Sequence, residues 1–173
     1  MRRFVQVLSV DLAAKIALGL VAVLLIRFMP TDEYAALTLA ISVATLAAQL
    51  LAAGFNRIYI VGFDRLQLAG RAEPYLMLQI AFIGMAGCMA LPVSYAFQGL
   101  YGAAVALAAA IILSEFSKTY YQRDLRFGAY SAIEIGRAAT QALAILGLIW
   151  LYGRNLPAKA VVWVQAGALE VGS

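Results

Sequence analysis

Five apolar stretches of roughly sixteen to twenty-five residues fill most of this chain, and a sixth begins near its end. A run of about 18 or more apolar residues matches the ~30 Å hydrocarbon core of a bilayer. The chain is 64% hydrophobic and only 13% charged. Soluble domains are about 45–50% apolar and ~25% charged. Too few charges are left to coat a water-facing surface, so lipid is the expected solvent. The expected fold is all-α: a polytopic transmembrane helix bundle with five full spans and a partial sixth. The 173 residues form one domain on this reading.

Composition also narrows the chemistry. The chain has no histidine and one cysteine, Cys88. That excludes an intramolecular disulfide, His-based catalysis and a Cys/His metal site. Cys88 sits in an apolar run, where it packs as a small hydrophobe. No Ser-His-Asp set, zinc motif, Gly-rich phosphate loop with a Lys, or pair of aspartates is present. Neither an enzyme nor a cofactor is therefore expected. The net charge of +4 reads as the basic excess of cytoplasmic loops and not as a nucleic-acid surface.

The spans are expected at residues 5–29, 34–53, 74–97, 101–116 and 131–152, with a sixth starting near 158. The first is too long for the apolar region of a signal peptide and is interrupted by Asp11 and Lys15, so it stays in the protein. Pro30 stops it, and Thr31 or Asp32 caps the next helix. Gly54 closes the second span. Pro74 suits the first turn of the third, and Pro92 kinks or ends it. Residues 55–73 and 117–130 read as polar loops. With the N-terminus inside, the inner segments contain Arg2, Arg3, Arg57, Arg65, Arg71, Lys118, Arg123 and Arg126. The outer turns contain Arg27, Arg154 and Lys159. That bias places the N-terminus in the cytoplasm.

Four charges fall well inside spans: Asp11, Lys15, Glu134 and Arg137. A charge at mid-bilayer costs about 2.5–3.5 kcal/mol on insertion scales, so it faces a partner or a wet cavity. Asp11 and Lys15 are four apart and Glu134 and Arg137 three apart, spacings that put each pair on one helical face. Two readings stand. Either the four line an inward-opening cavity and meet an anionic substrate, or each pair is local and reaches toward the inner headgroups. Gln49, Gln79, Gln141, Thr45 and Thr140 bond between helices or line the same cavity. Gly102, Ala106 and Ala110 form a small-residue face for close packing, as do Gly84 and Gly87.

The order of features carries a resemblance. A basic start and a charged first helix lead to the turn Pro30-Thr31-Asp32-Glu33-Tyr34, and Gly54 follows the second span. The segment Tyr120-Tyr121-Gln122-Arg123-Asp124-Leu125-Arg126-Phe127 then runs into Glu134 and Arg137. Together these resemble the N-terminal portion of bacterial polysaccharide or O-antigen flippases, within the multidrug/oligosaccharidyl-lipid/polysaccharide exporter superfamily. One departure is Ala35, where a Gly commonly follows the aromatic residue. The resemblance implies a two-lobed bundle working by alternating access, with a glycan on an undecaprenyl diphosphate lipid as substrate. It implies Lys15 and Arg137 as cavity cations for the diphosphate, and Asp11 and Glu134 as ion-coupling or pairing groups. It also implies a bacterial inner-membrane location and a missing C-terminal lobe or a second copy. A small-molecule exporter of the same superfamily and a non-transporting scaffold for envelope polysaccharide synthesis are the alternatives.

Overall fold

The computed structural model describes the backbone of residues 2–62, 73–89, 99–123 and 127–170. All six elements among them are helices: α1 (Arg2–Phe28), α2 (Thr31–Gly62), α3 (Glu73–Met89), α4 (Tyr101–Arg123), α5 (Phe127–Tyr152) and α6 (Ala158–Glu170). Among the described residues three helices are long and apolar enough to cross a membrane: Thr31–Leu50, Tyr101–Tyr121 and Gly128–Tyr152. That is the build of a membrane protein, but not the five full spans expected. The described α3 has 17 residues and α6 has 13, which at 1.5 Å per residue reach only about 25 and 20 Å. In α1 the side chains of residues 2–8, 10 and 11 lie outside those described, as does the backbone around Pro92.

Helix ends follow local chemistry where a breaker is strong. Pro30 separates α1 from α2, and its carbonyl accepts the first α2 hydrogen bond from Tyr34 N–H at 2.9 Å. Pro74 is the second residue of α3, a position where its missing N–H costs nothing. Gly153 ends α5 with φ of 57°, and its N–H reaches the Ile149 carbonyl at 2.8 Å. Only glycine takes that left-handed cap freely. Where no breaker stands, helices run past the apolar stretch. α2 passes Gly54 and reaches Gly62, and α4 runs through Lys118 to Arg123. An isolated glycine weakens a helix by about 1 kcal/mol but does not end it. Backbone bonding continues into the polar layer, so most of the segment read as loop 117–130 is helical.

The bundle is not a string of sequential hairpins. The widest contacts are α2 with α4, α1 with α5, and α4 with α6. α4 is the inner helix, touching α2, α3, α5 and α6. α2 turns Ala40, Ala44 and Ala48 into the core at i, i+4 and i+8, which allows close approach of backbones. On α4 the buried line is Ala103, Leu107, Ala110 and Ser114. It is rotated from the Gly102, Ala106 and Ala110 face read from the sequence. Gly102 is exposed, and a Cβ built there meets no atom within 4 Å. The small-residue face is corrected accordingly. Gly87 does sit close to α4: its Cβ position lies 3.5 Å from Val105, and its carbonyl accepts the Tyr101 hydroxyl.

The exterior is apolar. Leu12, Ile16, Leu20, Val23 and Ile26 all stand exposed on α1, and Leu39, Leu46 and Leu50 on α2. Contiguous apolar surface on this scale is foreign to soluble monomers, and it suits a face whose solvent is hydrocarbon.

One carboxylate joins two helix starts. Glu33, in the first turn of α2, accepts the Ala158 N–H at the start of α6 at 2.7 Å, across 125 residues of sequence. Helix N-termini present orphan donors and partial positive charge, so one anion there satisfies both needs. Glu33→Ala is expected to cost about 1–2 kcal/mol, read as a lower thermal midpoint in detergent. Glu33→Gln should recover part of this, since its amide oxygen still accepts.

Candidate functional site

A polar cleft of about 320 Å³ opens between α1, α4 and α5. α1 supplies Ala14, Lys15 and Leu18; α4 supplies Glu115, Lys118 and Thr119; α5 supplies Tyr130, Glu134 and Arg137. The topology explains the opening. α1 packs along α5, and α4 also leans on α5, but α1 and α4 share little direct contact. The gap between them is the cleft, with α5 as its floor.

Helical spacing aims the charges. Glu134 and Arg137 are one turn apart on α5, and Glu115 and Lys118 one turn apart on α4. Arg137 donates from Nη2 to Glu134 Oε2 at 2.8 Å. Lys118 Nζ lies 2.7 Å from Glu134 Oε1, an ionic contact off the hydrogen-bond direction. Lys118 also donates to Glu115 Oε1 at 2.9 Å. The result is a chain of alternating sign, Glu115–Lys118–Glu134–Arg137, that ties α4 to α5.

Exposure differs sharply along that chain. The Glu134 side chain is 3% exposed, Lys118 14% and Arg137 17%, while Glu115 is 48% exposed. A buried carboxylate is tolerated only if paired, and each Glu134 oxygen has its own cation. Arg137 Nε is buried with no hydrogen-bond partner, so the guanidinium is not fully satisfied by Glu134. Thr119 and Ser114 bond their hydroxyls back to the carbonyls of Glu115 and Ile111, at 2.8 and 2.9 Å. They add no spare donors to the cleft.

Of the four residues singled out from the sequence, Lys15, Glu134 and Arg137 come together here. The Asp11 side chain lies outside those described. The Glu134–Arg137 pair forms as the spacing expects, but Glu134 is buried and cross-linked to α4 instead of reaching for headgroups. Sequence reasoning missed Glu115 and assigned Lys118 to a loop. The signal was present: an acid and a base three apart at the polar end of an apolar helix. Gln79 is also buried, on α3, a helix that does not line the cleft. Glu115, Lys118, Glu134, Lys15 and Arg137 sum to one net positive charge, three cations against two carboxylates. Among the described residues no group of three or more His, Cys, Asp or Glu is placed to hold a metal.

No family model matches the chain, and neither does any curated protein or solved structure compared with it.

Proposed function

We propose that the chain takes part in moving an anionic, lipid-linked oligosaccharide precursor across a bacterial inner membrane by alternating access, N-terminus in the cytoplasm, as one lobe of a flippase. The observation that carries this reading is the gathering of Lys15, Lys118 and Arg137 on one cleft among helices with an apolar exterior. Charges at membrane depth are costly and mark pathways or binding sites. A guanidinium and two ammonium groups match the geometry and charge of a diphosphate. A second lobe, or a second copy, would close the other side of the cleft. The substrate class follows the flippase resemblance in the sequence.

Two other readings have an observation each. The pairing of Glu134 with Lys118 and Arg137 favours a scaffold whose charges serve only structure. The half-exposed Glu115 carboxylate favours a small-molecule exporter that takes cations.

Arg137→Ala and Lys15→Ala separate these. Each removes one charged contact, worth about 1.5–3 kcal/mol, so glycan export by cells carrying the variant protein should fall about tenfold or more. Membrane insertion should be unchanged, as read by protein abundance in the membrane fraction. Export unaffected by both replacements would remove the cleft from the transport path.

A further inference from the structure

The carboxylates of the cleft are not equivalent. Glu134 is buried, holds two cations, and joins two helices. Glu115 is half exposed, holds one cation, and that cation is already paired elsewhere. Lys118 therefore sits between a fixed anion and a replaceable one. We infer that Glu115 is the resident counter-ion of an anion-binding cleft, and that a phosphate-class ligand binds by displacing the Glu115 carboxylate from Lys118. This deepens the reading under Proposed function and rests on its assignment of an anionic ligand to the cleft.

The physical argument is one of exchange. Removing Glu134 would take the carboxylate from the largely buried Arg137 and leave the largely buried Lys118 with Glu115 alone. Releasing Glu115 exposes a carboxylate that is already half in water, and surface pairs of this kind are weak. The entering anion restores the charge balance at Lys118. Arg137 lines the same cleft. The cleft volume of about 320 Å³ lies at the small end of ligand pockets, about 300–1,000 Å³, which suits a headgroup and not a whole glycan. With Glu115 on Lys118 the cleft carries only one net positive charge, so it holds stray anions weakly. Occupied, it trades an internal ion pair for a ligand.

The test is titration of the chain in lipid nanodiscs with inorganic diphosphate, followed by calorimetry and by the infrared carboxylate stretch of 13C-labelled glutamate. Native protein should bind, with a shift in one glutamate band as Glu115 moves into water. Glu115→Gln should bind about three- to fivefold tighter, the factor that an exposed ion pair is worth, with no such band shift. Asp32→Asn, an equal change of net charge on the exposed start of α2, should leave affinity as in the native chain. Equal tightening by both variants would show general charge alone and overturn the inference. So would weaker or unchanged binding in Glu115→Gln. Binding with displacement but no glycan export would sustain the exchange and sink the flippase reading. Export without diphosphate binding in any variant would do the reverse.

Discussion

Glu134→Ala should destabilise the chain by about 3 kcal/mol, the low end for breaking a buried ion pair from one side. At ~2–4 °C per kcal/mol for a chain of this size, the thermal midpoint in detergent falls by about 6–12 °C. The loss comes less from the contacts removed than from what they leave behind. Lys118 and Arg137 are each more than four-fifths buried, and without the carboxylate Arg137 loses its acidic partner while Lys118 keeps only the half-exposed Glu115. The sharper form of the prediction is a rescue. Glu134→Leu combined with Lys118→Met and Arg137→Leu removes all three charges while keeping volume, and buried ion triads replaced in this way are neutral or stabilising. That triple variant should regain the native midpoint and bind no diphosphate. A Glu134→Ala protein as stable as the native one would mean the ionic chain is ornamental to the fold.

Leu156→Ala is expected to cost about 2–5 kcal/mol, the range for truncating a fully buried leucine. Leu156 belongs to the short connection between α5 and α6, yet it is 0% exposed and part of the main core. The left-handed Gly153 and the Asn155 N–H bonded to the Tyr152 carbonyl at 3.1 Å fold the connection back so that Leu156 plugs the corner. The same thermal assay reads the effect. Diphosphate binding should persist below the new midpoint, because this corner is at the opposite end of α5 from Glu134. A cost below about 1 kcal/mol would show that the connection collapses to fill the void.

These two residues show where the sequence is legible and where it is not. Gly153 and Pro157 mark the connection plainly, because backbone conformation is a local property. That Leu156 is core cannot be read from its neighbours, since the side chains it meets belong to other helices. Likewise Pro30 and Pro74 place helix boundaries to within a residue. The ends of α2 and α4 overrun their apolar runs because hydrophobicity reports lipid contact and helical hydrogen bonding does not require it. Lys15, Glu134 and Arg137 could be picked out as charges in apolar surroundings. That they share a cleft with Glu115 and Lys118 depends on α1 and α4 both packing on α5, a tertiary fact. The rotated small-residue face on α4 has the same origin: Ala is so common there that several registers satisfy the pattern.

The pairing of α1 with α5 also sets a clock. α1 ends at Phe28 and α5 begins at Phe127, so a ribosome adding ~5–20 residues per second needs roughly 5–20 s between them. During that interval α1 has been made while α5, the floor of the cleft that Lys15 lines, has not. The α1–α5 contact can therefore form only after α2, α3 and α4 have been made.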